Sequence, residues 1–282
     1  MEYNALIIDV IDSRKYENRF LVQEILKFSI DFLNERFKPL IKKEVVFSAG
    51  DEMQGLFLNG EAAYLYYRKL KQLVYPIKIR AGLGRGTIKF DMDNWASTEI
   101  DGQAYYNARI AIKCILNKKD NIYYNSNLST DKYINTLMDS NLIIKSSQSD
   151  MVNLIELIYD ELYLISSNEI NNKIDEGFIG RLYSLKSQLD NNMFKNINLN
   201  INLFVNQAIN SEMCDYLDIK KSIKSINIDR FFKRGFSTII SEILNLSRQN
   251  IDKHINNGKI KESRNIDGAI VLMISDIEER KI

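Results

Sequence analysis

Histidine, cysteine and tryptophan are nearly missing from this chain of 282 residues, which holds one His, two Cys and one Trp. A lone His254 argues against a histidine-built metal centre. Cys114 and Cys214 stand far apart in sequence. They frame no disulfide scaffold and point to reduced thiols in a cytoplasm. No apolar run approaches the ~18–20 residues that span a bilayer, so no membrane is expected as a partner. The start, Met1-Glu2-Tyr3-Asn4, carries no basic flank, and no signal peptide is expected. What remains is the mix of a globular protein, 45% hydrophobic and 27% charged. The length predicts about two domains at ~150 residues each, large enough to bury a core without staples.

Charge is unevenly placed. The net charge is +1, but residues 219–264 hold eleven basic side chains against four acidic ones, a local charge of +7. The basic set includes Lys224, Arg230, Lys233, Arg234, Arg248, Lys253, Lys259 and Arg264. A basic end on a mildly acidic body is the electrostatic footprint of a nucleic-acid-binding module; an ordinary solvated face is the alternative.

Residues 3–9 read as a buried strand ending in Asp9. Asp12 or Ser13 is expected to cap a helix with apolar Phe20, Ile25, Phe28, Phe32, Leu33 and Phe37 at helical spacing, stopping near Pro39. Residues 44–49 and 52–58 read as strands joined by a Gly50-Asp51 hairpin turn. Residues 60–74 read as a helix. Residues 77–90 alternate and carry three glycines, which predicts a strand, a bend and a second strand. These glycines lie inside a strand pattern, so they serve bending or close packing, not phosphate binding. Gly102 opens a helix to about Leu116, residues 121–124 form a short strand, and Ser129 caps a further helix. Strands interleaved with helices predict a mixed α and β sandwich over roughly residues 1–145. The hairpin means that its sheet is not purely parallel. Beyond 150 the pattern is helical, with 151–166 apolar at helical spacing. The Asn-rich stretch 191–210 is ambiguous between strand and helix.

Asp9 at a strand end and Asp51 at a hairpin tip would project at one sheet edge if their strands are neighbours. Two carboxylates that close repel unless a cation lies between them, and Mg²⁺ takes one or two carboxylates plus phosphate oxygens. The loop from Asp9 to Arg14 leads toward a helix start, an anion site. The expectation is a site for Mg²⁺ and a nucleoside triphosphate, with Asp9 and Asp51 on the metal and Ser13 and Arg14 at the phosphates. The bland alternative is a helix cap and a turn residue.

Four blocks then resemble a known family in order and spacing. They are Leu6-Ile7-Ile8-Asp9-Val10-Ile11-Asp12-Ser13-Arg14, Phe47-Ser48-Ala49-Gly50-Asp51-Glu52-Met53-Gln54-Gly55-Leu56, Ile79-Arg80-Ala81-Gly82-Leu83-Gly84-Arg85-Gly86 and Asp101-Gly102-Gln103-Ala104-Tyr105-Tyr106-Asn107-Ala108-Arg109. Across residues 3–113 they resemble the SatD family and, more distantly, class III nucleotidyl cyclases and GGDEF domains. The resemblance implies an α+β fold with an N-terminal ferredoxin-like palm. It also implies metal binding by Asp9 and Asp51, with the backbone of Val10 and Ile11 beside the metal and the nucleotide phosphates, and a phosphate or transition-state role for Arg109, whose alternative is a structural ion pair. The chain departs from the cyclase pattern. Ala104 stands where the catalytic asparagine belongs, Asn107 is out of step, and Phe47 replaces a base-reading lysine. Losing one transition-state donor can cost ~10²–10³ in rate.

Residues 237–257 have helix-turn-helix spacing. Ile240, Ile243 and Leu244 form one face, Leu246 fills the turn, Ser247 caps, and Ile251 and Ile255 anchor the second helix. That helix offers Arg248, Gln249 and Asn250, types that read base edges. Lys253 and Lys259 suit phosphates. The segment resembles bacterial repressor motifs, with Asn245 where Gly is usual, and SatD-family members commonly carry such a motif at the C-terminus. His254 is expected to pack or face solvent. After Gly268 an apolar block closes the small domain or makes a dimer contact; a homodimer is expected, since such proteins read two half-sites. The expected organisation is a palm over 1–145, a helical connector over 146–218 and a helix-turn-helix domain over 219–282. The expected function is a cytoplasmic DNA-binding regulator of transcription whose palm binds a metal-nucleotide or dimerises. The alternative is a metal-dependent nucleotidyl cyclase or transferase.

Overall fold

The structure, a computed structural model, describes residues 1–89, 95–115, 121–167, 169–170, 174, 176–190, 197–210, 212–221 and 229–279. The expectations at Leu116, at 191–196 and at Lys224 lie outside the described residues. The chain forms two compact units, residues 1–142 with 270–282, and residues 143–269.

The first unit begins β1 (Tyr3–Val10), α1 (Arg19–Arg36), β2 (Ile41–Ala49), β3 (Glu52–Phe57), α2 (Gly60–Val74) and β4 (Ile79–Gly86). It continues with α3 (Gln103–Cys114), β5 (Ile122–Asn125) and α4 (Asp131–Ser146), the last four residues of which belong to the second unit. The strands form one sheet in the order β2-β3-β1-β4-β5. β1 runs antiparallel to β3 and to β4, β2 runs antiparallel to β3, and β5 is parallel to β4. The hairpin therefore makes a mixed sheet. β1 is central and buried on both faces, which is why it reads as an unbroken apolar run.

Side chains alternate across a strand. Ala5, Ile7 and Leu56 meet Ala104, Ala108 and Ile112 of α3 on one face. Phe57, of the opposite parity to Leu56, packs edge-on to Tyr66 of α2 on the other. β4 is a single strand, not two with a bend. Its glycines serve the close-packing alternative: a Cβ on Gly82 or Gly84 would collide with the α3 backbone at Ala108.

Two helix starts move relative to the sequence reading. Asp12 and Ser13 do not cap α1. Asp12 takes a left-handed conformation (φ 53°) before a three-residue 3-10 turn at 13–15. Asn18 caps instead, its side chain accepting from the Leu21 N–H at 3.0 Å. The helix after β5 starts at Asp131, two residues beyond Ser129. Phe20, expected on the apolar face, is 77% exposed.

The second unit holds α5 (Asp150–Leu162), β6 (Tyr163–Ser166), α6 (Glu176–Leu189), α7 (Ile201–Ile209), β7 (Glu212–Asp215), α8 (Tyr216–Lys221), α9 (Phe236–Leu244), α10 (Arg248–Asn257) and the first half of α11 (Ile260–Glu279). The helix expected to run to 166 ends at Leu162, and its last four residues pair in parallel with β7. The described end of the Asn-rich stretch resolves as helix, with Asn200 as cap accepting from Leu203 N–H at 3.0 Å.

Residues 146–218 and 219–269 both lie in this unit. The reason is α5, whose residues 154–162 are all buried. Tyr159 OH donates to Lys233 O at 2.6 Å and accepts from Lys233 N–H at 2.7 Å. Its ring stacks on Phe232 with centroids 5.0 Å apart. Asp160 pairs with Arg264, and both side chains are fully buried. Arg264 therefore adds nothing to the basic surface expected of it. The apolar block after Gly268 is helical, and Ile270, Val271 and Ile274 are buried. From Ile270 on it belongs to the first unit, so it does not close the small domain.

Candidate functional site

Register brings a charge cluster together at one end of the first unit's sheet. Asp9 on β1 lies opposite Glu52 on β3 and opposite Arg80 on β4. By parity with Ile7, Leu56 and Gly82, all three project on the face that α3 covers. Arg80 donates to Asp9 Oδ2 from Nε at 2.8 Å and also from Nη2. The two side chains keep about a fifth of their surface in solvent, 22% for Asp9 and 19% for Arg80. Glu52 receives Arg109 of α3 in a two-pronged pair, Nη2 to Oε1 at 2.9 Å and Nη1 to Oε2. Ser48 Oγ adds a bond to Glu52 Oε1 at 2.9 Å. Arg109 is thus in an ion pair, the structural alternative weighed for it.

Asp51 sits beside Gly50, whose φ of +63° makes the turn. Burial pushes the Asp9 carboxyl up. The Arg80 hydrogen bond and charge oppose this, and the charges of Asp51 and Glu52 raise it further. Asp9 is salt-bridged to Arg80 and its neighbour Glu52 to Arg109, so much of the negative charge is already compensated. Among the described residues, no group of three or more Asp, Glu, His or Cys side chains is placed to hold a metal ion. Two carboxylates suffice for Mg²⁺ when phosphates complete its shell, but at Asp9 the ion competes with Arg80.

The expected phosphate residues are placed less favourably. Ile11 N–H is already bonded to Lys78 O at 2.9 Å. Val10 is buried, Ser13 is half-buried and Arg14 is exposed. The three-residue turn at 13–15 is too short to present an anion site of its own. Asn107 is buried and consumed. It donates to Arg85 O at 2.6 Å and accepts from Gln103 at 2.8 Å and Asn127 at 3.0 Å. It reaches toward Arg85, five residues along β4 from Arg80, so it does not stand in for the asparagine missing at Ala104.

A second candidate lies wholly in the second unit. α9 ends at Leu244, Asn245 takes the left-handed conformation (φ 51°), and Ser247 Oγ accepts from Asn250 N–H at 3.3 Å to start α10. Ile240, Ile243 and Leu244 are buried with Ile251 and Ile255. Asn200 N–H bonds Ile243 O at 2.8 Å, and Gln148 bonds Gly258 O at 2.8 Å, which ties both helices to the unit. Arg248, Gln249, Lys253 and Asn256 are exposed, Asn250 is half-buried, and Lys259 is exposed in the turn after α10. Arg248 Nε lies 3.6 Å from Asp252. His254 is half-buried, its pKa lowered by burial and by Lys253.

Sequence reading missed Arg80 as a partner of Asp9. Parity alone groups Arg80 with Gly82 on one face of β4; that this is also the face of Asp9 follows only from the register of β4 with β1. Among the described residues no helix is long and apolar enough to cross a membrane. No curated protein matches the chain. Residues 3–208 match the SatD family, well over half of the chain, and the matched span takes in the Asp9–Arg80 and Glu52–Arg109 pairs but stops before α9: the chain belongs to the SatD family.

Proposed function

We propose that this protein is a DNA-binding regulator that reads duplex DNA with α10. One observation carries the reading. A short helix, a three-residue turn and a capped second helix bury their apolar seam and leave Arg248, Gln249, Lys253 and Asn256 exposed in a row. The spacing supports a helix-turn-helix reading, in which Arg248, Gln249 and Asn256 would read base edges and Lys253 would neutralise phosphate. Arg230, Lys233 and Arg234 are exposed in the same unit and extend the cationic surface. The test is binding to a random-sequence duplex over a salt series. Lys253→Ala should weaken binding and reduce the salt slope by about one. Arg248→Ala should cost ~1–3 kcal/mol at a selected site. Unchanged affinity in both variants would sink the reading.

The order βαββαβ with the sheet β4-β1-β3-β2 supports reading the first unit as a ferredoxin-like palm with a ligand role. In this reading Asp9 and Asp51 would hold Mg²⁺, which neutralises a bound nucleoside triphosphate, and Arg80 and Arg109 would turn from their carboxylates to phosphate oxygens. Cyclase chemistry is the weaker second reading, because Asn107 is spent on structure. A thermal-shift series with each nucleotide plus Mg²⁺ tests the site. A ligand at ~100 times its Kd should add ~2.7 kcal/mol, and Asp9→Asn with Asp51→Asn should abolish the shift. No shift with any nucleotide would leave the palm as a dimerisation module.

A further inference from the structure

The last turns of α11 pack on the first unit at a buried acidic contact remote from the Asp9 cluster. Gly60, the first residue of α2, has no side chain where α11 approaches. A Cβ there would lie 2.7 Å from Ile274 Cγ2, 2.8 Å from Glu278 Oε1 and 2.9 Å from Asn4 Oδ1. Glu278 Oε1 accepts from Asn4 Nδ2 at 2.7 Å and from Gly60 N–H at 2.9 Å. Arg85 Nη1 donates to Ile277 O at 3.1 Å, while its Nη2 pairs with Glu2 at 2.8 Å.

Glu278 lies among groups of both signs. Glu61 of α2 is buried and directly follows Gly60, whose N–H bonds Glu278, so its charge opposes ionisation of Glu278. Arg85 is the favourable cation, and it is shared with Glu2. Tyr124 of β5 faces the same place with a buried hydroxyl. Two carboxylates brought together in an apolar setting hold a proton between them instead of ionising together. Here burial, then the Glu61 charge, push Glu278 up to about 8; the bonds from Asn4 and Gly60 and the Arg85 charge oppose this.

We propose that residues 270–279 are a proton-operated latch, docked while Glu278 carries a proton and loosened when Glu278 and Glu61 are both charged. Only the docked form holds Glu278 in its buried place, so docking takes up a proton. Its stability is full below the ordinary glutamate range, falls as pH rises through that range toward about 8, and is constant above. α11 also carries residues of the second unit in its first half. The pH-sensitive turns thus share a continuous helix with the unit that holds α9 and α10.

The test is amide hydrogen exchange of the full chain from pH 6 to 9, corrected for the intrinsic rate, read in peptides from 270–279. Peptides from β1 report global opening. Wild type should lose protection in 270–279 with rising pH, by at most about tenfold per pH unit for one proton, while β1 stays protected. Glu278→Gln keeps the acceptor oxygen without the charge, so its protection should be flat in pH. Glu61→Gln should shrink the wild-type slope and stands in if the first variant folds poorly. A flat wild-type profile, or equal slopes in all three proteins, overturns the proposal. So does restored protection at pH 9 on adding Ca²⁺, which would put a cation where we place the proton.

Discussion

Arg264 shows how much one side chain can hold when every donor is used. It is fully buried, pairs with Asp160, donates through Nε to Phe231 O at 2.9 Å and through Nη2 to Tyr163 O, and lies 4.7 Å over the Tyr159 ring. Removing one member of a buried pair leaves the other charged and desolvated, which costs about 3–5 kcal/mol. Arg264→Met should therefore destabilise the second unit by about that much, read as a lower urea midpoint. The double variant Arg264→Met/Asp160→Leu should recover only part, because the carbonyls of Phe231 and Tyr163 stay orphaned. Full recovery would show that the two backbone bonds contribute little. No sequence rule pointed to this pair. The partners stand 104 residues apart, and Arg264 read as one more surface cation of a basic stretch. The pairs Asp9–Arg80 and Glu52–Arg109, 71 and 57 residues apart, were hidden for the same reason. Long-range pairing depends on strand register, which a single chain does not print.

At the scale of elements, periodicity was legible wherever one element has one apolar face. The helix at 60–74, the Gly50-Asp51 hairpin and the α9–α10 pair sit where spacing puts them. It misled where a residue has two uses. The β4 glycines can bend a strand or admit a helix, and the choice depends on α3, which lies elsewhere in the sequence. Gly84→Ala tests that use. Its methyl would collide with Ala108 N and Ala104 O, which are helix backbone and cannot rotate away. α3 must move off β4, with a loss of ~1–3 kcal/mol or more, and Arg109 should move away from Glu52 with it. Gly50→Ala is the contrast. Nothing lies within 4 Å, so only the left-handed backbone is strained, at ~1–2 kcal/mol. Equal urea midpoints for Gly84→Ala and wild type would mean that the helix has slack at its contact with the strand.

At the scale of the whole molecule, the lone tryptophan gives a reading of one unit. Trp95 packs on the core of Ala5, Ala104 and Ala108 in the first unit, and residues 143–269 contain no tryptophan. Fluorescence therefore follows the first unit, while far-UV circular dichroism also follows α5 to α10. Chains of two compact units need not unfold in one step. Each unit here closes its own core, one around β1 and the other around α5. The expected outcome is that urea curves by the two probes do not coincide. The sharper test is Arg264→Met. A loss of ~3–5 kcal/mol against a slope of ~1–3 kcal/mol per molar urea should move the dichroism transition down by more than ~1 M. The fluorescence transition should stay in place. The opposing force is α11, one helix with residues in both units. If it transmits the loss, both curves move together and the chain is one cooperative body. If only the dichroism curve moves, α11 frays at its middle, near residue 269, and the second unit can open while the sheet stays folded.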